Sequence, residues 1–259
     1  MDLGIAGRRA IVCGASRGLG RAVAESLAEA GTELILNARG LDGIEKAAEE
    51  LRSRYGVAVH TLAGDLTTQD GCARLVETFP ETDILINNAG GPPAGDWRSF
   101  EREDWHEAAD HNMIGPIFLM RAYLDGMAER GFGRVVNITS IVVKLPKGML
   151  TLSVAARLGL TGAVKAIAPS VAGRNVTINN VLPELFDTDR LRQNLTTIGA
   201  KNGRSLDDEI AHHIEVIPAA RLGRPEELGA TCAFLCSQHG GFITGQSILL
   251  DGGFYPGLF

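Results

Sequence analysis

Short apolar runs alternate with helical patterns along nearly the whole chain, and that rhythm leaves few architectures open. Residues 9–14, 33–37, 57–62, 83–87, 134–139, 176–182 and 247–250 read as strands. Between them, residues 19–30, 41–55, 68–79, 101–130 and 150–172 carry apolar side chains at helical spacing, and Gly31 supplies a stop for the first. Strands joined through helices run parallel, and a parallel sheet needs both faces covered. With right-handed crossovers, the pattern predicts a doubly wound, three-layer α/β/α fold. No repeat, low-complexity tract or composition break interrupts it, so residues 1–259 are expected to form a single domain. Residues 187–217 depart from the rhythm. They are polar, contain Gly199 and Gly203, and read either as a lid-like insertion over the carboxyl ends of the strands or as a solvated excursion. Pro169, inside the 150–172 helix, is expected to bend or loosen its end.

Composition narrows the function classes. A net charge of −6 with no Lys/Arg run argues against a nucleic-acid groove. No apolar stretch is expected to reach the length of a membrane span, and Met1-Asp2-Leu3-Gly4 lacks a signal-peptide pattern, which points to a cytoplasmic protein without membrane partners. Cys13, Cys72, Cys232 and Cys236 are scattered, and the histidines show no ligand spacing. Buried structural thiols are therefore expected, and no metal.

The first strand runs into Gly14-Ala15-Ser16-Arg17-Gly18-Leu19-Gly20 and then directly into a helix. Glycines permit the tight turn and let backbone amides at the helix N-terminus approach a pyrophosphate, where the helix dipole favours negative charge. The strand–turn–helix context makes this a Rossmann-type dinucleotide site. The second strand ends Asn37-Ala38-Arg39, without the carboxylate that would bind the two ribose hydroxyls of NAD. Arg39 and Arg17 instead offer cations to a 2′-phosphate, so NADP(H) is expected rather than NAD(H).

These blocks, taken together, resemble the classical short-chain dehydrogenase/reductase family, in its 3-oxoacyl-carrier-protein-reductase-like form. The Gly14-x3-Gly18-x-Gly20 spacing matches, as do Asp65-Leu66 after the third strand, Asn87-Asn88-Ala89-Gly90 ending the fourth, and Asp251-Gly252-Gly253 after the last. Cys13 stands where the family most often has Thr. The resemblance implies that Gly14, Ser16, Arg17, Gly18, Leu19, Gly20, Arg39, Asp65, Leu66, Asn88, Ala89, Gly90, Pro183 and Thr188 contact the cofactor. It also implies a small-molecule substrate and a homodimer or homotetramer assembled through the 101–130 and 150–172 helices.

The same resemblance places Asn112 and Ser140 in the catalytic tetrad. The interval from Ser140 then puts Ser153 and Arg157 where the family has its Tyr and Lys. Those two lie one turn apart on one helix face. A serine hydroxyl is a poor general acid near neutral pH, and arginine cannot shuttle a proton, although Arg157 can still bind ribose hydroxyls. Lys144 and Lys147, on the loop after Ser140, are candidate replacements. Lys144 is the catalytic candidate, as proton donor or fixed cation. Glu184 stands where the family's Pro-Gly turn has Gly, adding bulk or charge beside Pro183. The reading is an atypical NADP(H)-dependent oxidoreductase moving hydride to or from a small carbonyl/alcohol or conjugated substrate. The alternative is a catalytically inactive NADP(H)-binding sensor or partner subunit.

Overall fold

The computed structural model describes residues 1–258, and among them seven strands form one parallel sheet. In chain order they are β1 (Arg9–Val12), β2 (Glu33–Ala38), β3 (Val59–Ala63), β4 (Ile84–Asn88), β5 (Gly133–Ile138), β6 (Val176–Pro183) and β7 (Ser247–Leu250). Their spatial order is β3-β2-β1-β4-β5-β6-β7, so the order reverses between β1 and β4. In open parallel sheets, the crevice at the carboxyl ends of strands beside such a reversal is where ligands bind. The strands β5 and β6 are buried at every position, which is why their sequences are continuous rather than alternating.

Helices α1 (Gly18–Glu29), α2 (Leu41–Tyr55) and α9 (Pro225–Cys236) cover one face, burying Val23, Leu27, Ile44, Leu51, Leu228 and Leu235 against the sheet. The opposite face is covered by α3 (Gln69–Thr78), α5 (Gly115–Glu129) and α6 (Thr151–Ala172), through Leu75, Leu119, Tyr123, Leu160 and Val164. A fully buried Leu, Ile or Val contributes about 1.5–3 kcal/mol, so these two layers dominate the stabilisation. Cys232 and Cys236 lie one turn apart on α9 and are packed as free thiols, as are the other two cysteines among the described residues. Burial pushes the Cys236 thiol up to about 12.

The helical stretch expected over 101–130 is divided. α4 (Arg102–Ala109) passes through one wide π-turn, Asp110–Ile114, into α5. Such turns interrupt the ordinary helical register and occur often at functional sites. Here the turn buries Asn112.

The expectation that no stretch reaches membrane-spanning length is corrected: residues 148–172 do so by length and composition. In the structure this stretch is a core helix, whose Leu152, Leu160, Val164, Ala168 and Val171 are buried together with Arg157. Pro169 is accommodated within α6, which continues to Ala172.

Residues 187–217, which depart from the strand–helix rhythm of the sequence, are largely helical. They form α7 (Asp189–Asn202) and α8 (Leu206–Ile214). Thr188 accepts from the Leu191 N–H at the start of α7, and left-handed Gly203 closes that helix. Ser205 caps α8 by accepting from the Asp208 N–H.

A polar ladder crosses the buried middle of the sheet. Asn87 on β4, Asn137 on β5, Asn180 on β6 and Ser247 on β7 are register neighbours. Asn87 Nδ2 donates to Asn137 Oδ1 (2.8 Å), Asn137 Nδ2 to Asn180 Oδ1 (3.2 Å), and Asn180 Nδ2 to Ser247 Oγ (3.3 Å). The chain of amides satisfies groups that would be costly to bury alone.

Candidate active site

The turn after β1 lies at the strand reversal. Gly14 and Gly18 have φ of +62° and +59°, in the left-handed region that favours glycine. A Cβ on Gly20 would collide with the Gly14 carbonyl oxygen, so α1 can start this close to the turn only with glycine there. Asn88 Nδ2 donates to the Cys13 and Gly14 carbonyls (3.3 and 3.5 Å), and the Ala15 N–H donates to Asn37 O (2.9 Å). The turn is thus tied to β4 on one side and β2 on the other. α1 has neither a side-chain cap nor an acidic residue in its first turn, which leaves its leading amides available to an anion. Leu19 packs against the core beneath, and Ser16 lies close to Gly43 at the start of α2.

Arg17 and Arg39 are both exposed at this edge. Ala38 is paired with Ala63 on β3, which brings Arg39 near Asp65. Desolvation raises the Asp65 carboxyl, but hydrogen bonds from the Thr67 hydroxyl and N–H, with the Arg39 and His111 charges, outweigh it and hold the group below its ordinary range. Leu66 packs towards the α3/α5/α6 side of the core. Thr188 lies against the turn, its methyl carbon 3.7 Å from where a Gly18 Cβ would stand. Pro183 is the last residue of β6, paired with Leu250.

The remaining tetrad positions gather at the ends of β4 and β5. Ser140 begins a short turn, its Oγ accepting from the Val142 N–H (3.3 Å), which leaves the hydroxyl proton free to donate. Asn112 is buried, and neither its Oδ1 nor its Nδ2 has a hydrogen-bonding partner among the described residues. Ser153 and Arg157 are each 7% exposed. Arg157 Nε donates to Ser153 Oγ (3.1 Å), Nη1 to Ile138 O (3.1 Å) and Nη2 to Ala89 O (3.5 Å). The guanidinium therefore bridges α6 to the ends of β5 and β4. Burial, then the nearby Arg190, lowers its pKa to about 10, so it remains a cation at neutral pH.

Three features were not read from the sequence. Arg190, near the start of α7, donates to Gly91 O (3.1 Å) and stands beside Gly90, tying α7 to the loop after β4. Lys147 donates to the buried carboxylate of Glu184 (2.6 Å), whose side chain is 8% exposed, while Lys144 Nζ lies 5.7 Å from the centre of the Tyr255 ring. Glu209 on α8 is buried and receives Arg204 Nη1 (3.1 Å), with His213 Nδ1 3.5 Å from its Oε1. Partners 37 and 99 residues apart leave no local pattern to find. No cluster of metal-ligating side chains occurs among the described residues.

A parallel sheet whose glycine turn opens a helix at the strand reversal defines a dinucleotide-binding α/β protein. Comparison with known proteins places it further. Residues 14–255 match the family described as enoyl-(acyl carrier protein) reductase. The 3-oxoacyl-[acyl-carrier-protein] reductase of Aquifex aeolicus is 32% identical over 261 residues, covering 98% of this chain and 100% of that one. L-sorbose reductase from Gluconobacter frateurii, solved with NADPH and L-sorbose, matches with a TM-score of 0.96 at 30% identity over 100% of both chains. YwfH, an NADPH-dependent reductase involved in bacilysin biosynthesis, gives 0.92 at 30% identity, covering 98% of this chain and 100% of its own. The chain belongs to the short-chain dehydrogenase/reductase family of oxidoreductases.

Proposed function

We propose that the protein is an NADP(H)-dependent oxidoreductase that moves hydride to or from a small carbonyl/alcohol or conjugated substrate. The observation that carries this reading is the glycine turn with an uncapped α1, flanked by exposed Arg17 and Arg39 and lacking a carboxylate at the end of β2. That donor set fits a dinucleotide bearing a 2′-phosphate. The amides of Gly14–Gly20 would hold the pyrophosphate, Arg17 and Arg39 the adenosine phosphate, Asp65 and Leu66 the adenine, and Ala89, Gly90, Pro183 and Thr188 the nicotinamide half. When bound, the cofactor supplies or accepts the hydride. Ser140, with a free hydroxyl proton, contacts a substrate oxygen, and Asn112 supplies amide contacts to substrate or water. Ser153 acts as a hydrogen-bonding group only. Arg157 holds the strand ends together as a fixed cation beside the ribose position. The relatives crystallised as NADPH complexes or named as NADPH-dependent support the choice of cofactor.

Fluorescence titration is expected to show tighter binding of NADPH than NADH. Arg39→Asp should narrow or reverse that preference, because it removes a cation and adds repulsion towards the 2′-phosphate. Equal affinities in the unmutated protein would refute the cofactor assignment.

A second reading, binding without catalysis, draws support from Arg157. Each of its three nitrogens meets a protein oxygen, and its Ser153 partner releases no proton near neutral pH. A screen of ketones and conjugated carbonyls with NADPH separates the two, since only an enzyme consumes NADPH. The four free thiols agree with a reducing, cytoplasmic setting.

A homodimer or homotetramer is part of the same reading. Ile114 on the π-turn, Phe118 on α5 and Leu158 on α6 are 38, 51 and 41% exposed, and apolar groups of this size favour a partner. Light scattering at micromolar concentration should give a multiple of the chain mass. A monomer there would overturn the assembly.

A further inference from the structure

We propose that Lys147 is the proton donor of this enzyme and that Glu184 positions it; the assignment rests on the hydride-transfer reading above. Reduction of a carbonyl needs a proton as well as a hydride, and the positions nearest the glycine turn cannot release one. Ser140 and Ser153 carry hydroxyls of high pKa, Asn112 carries an amide, and each guanidinium nitrogen of Arg157 is already engaged by a protein oxygen. The ammonium of Lys147 is the exchangeable acid that the 139–150 loop returns to the strand ends.

Its placement is specific. Glu184 is the first residue beyond β6, its N–H bonded to Leu250 O (3.1 Å), and four residues later Thr188 lies against Gly18. The 183–188 segment therefore runs along the mouth of the cleft, with Glu184 at the β6 end. Thr139, next to Ser140, donates its N–H to Val181 O on the same strand (2.9 Å). The loop carrying Lys147 and the segment carrying Glu184 thus leave adjacent strands. The Lys147–Glu184 contact of 2.6 Å fixes the ammonium, since a hydrogen bond between charged groups is short and directional.

The pair opens on a cavity of about 210 Å3, walled by Leu185, Ile217 and Phe254. Other ionisable groups face it from α8 and the turn beyond: His212, His213 and Glu215. His213 is held from behind by buried Glu209. An apolar wall beside an ammonium held by the buried Glu184 carboxylate suits a small carbonyl compound whose oxygen takes the proton.

The step balances with NADPH as reductant. A new C–H bond forms at the carbonyl carbon from the hydride, and the C=O π pair becomes the new O–H bond as an N–H bond of the Lys147 ammonium breaks. The substrate is reduced to the alcohol, NADPH is oxidised to NADP+, and the amine left on Lys147 regains a proton from water in the cavity.

The test uses purified full-length protein, NADPH and 9,10-phenanthrenequinone as the carbonyl probe. Lys147→Met should lower kcat by about 10²-fold or more. Lys147→Arg should lower it comparably, because a guanidinium keeps the charge and the contact with Glu184 yet does not give up a proton. Glu184→Gln should reduce kcat by about tenfold with KM little changed, the signature of a group acting through the donor. NADPH affinity, measured by fluorescence titration, should be unchanged in all three variants, which also reports that they are folded. Arg at position 147 retaining wild-type kcat overturns the assignment, because a charge-and-contact role would then suffice. Wild-type protein that binds NADPH but leaves the quinone unreduced overturns the hydride-transfer reading, and the proton donor with it.

Discussion

In a Lys147→Met background, Ser153→Tyr combined with Arg157→Lys is expected to raise ketone reduction by roughly 10²–10⁴-fold, the usual worth of a positioned general acid. The family register supports this, because Ser153 follows Ser140 at the interval the family keeps between its serine and tyrosine. The structure places Ser153 on the buried face of α6, one turn from Arg157, with Arg157 Nε 3.1 Å from its Oγ. A lysine at 157 would stand next to a phenol at 153 and lower its pKa, as an adjacent cation does. The two changes must be made together, because a tyrosine without that lysine keeps too high a pKa and the sites are coupled. In the same background, Arg157→Lys alone should give no gain in activity. It should also destabilise the protein by about 1–3 kcal/mol, since the buried Ile138 carbonyl loses its donor. NADPH absorbance with a simple ketone measures the gain, and a double variant no faster than its parent would show that position 153 does not reach the carbonyl.

The sheet and most of its helices were legible because their signals are local. The 41–55 helix and the 247–250 strand coincide with α2 and β7, and the remaining strands with α1, α3 and α6 shift by only a few residues. The glycine turn was legible for the same reason: positive φ and close backbone approach demand glycine wherever they occur. The helices α7 and α8 were missed although their signals were present. Thr188 and Ser205 stand at N-cap positions and Gly203 at a left-handed stop, but the polar faces between them hid the helical period. The π-turn around Asn112 was not legible either, since one extra residue in a helical turn leaves the apolar pattern nearly unchanged.

The catalytic region divides the same way. That Ser153 and Arg157 share a helix face follows from spacing four, and the structure adds the carbonyls that receive the guanidinium. The choice between Lys144 and Lys147 could not be made from spacing, because both lie on one loop. It depends on where Glu184 emerges from β6 to meet Lys147 and where the Tyr255 ring meets Lys144. Such pairings are set by strand order, so they become visible only once the sheet is assembled.

That sheet carries the second large effect. Asn137→Leu is expected to cost about 2–6 kcal/mol of folding stability, because it leaves two buried groups unsatisfied at about 1–3 kcal/mol each. Asn87 Nδ2 loses its acceptor, and Asn180 Oδ1 loses its donor, at residues only 3% and 1% exposed. Asn87 is the more vulnerable, since its Oδ1 already has no partner among the described residues. Leucine fills a similar volume, so the loss is one of polar pairing rather than of packing. Against a typical stability of about 5–15 kcal/mol, the change would remove a large share. Urea unfolding should show the midpoint falling with the slope unchanged, as for a loss of stability without a change in the surface exposed. A loss below about 0.5 kcal/mol would mean that the ladder's amides find replacement partners, and that the buried asparagines are not what holds β4, β5 and β6 in register.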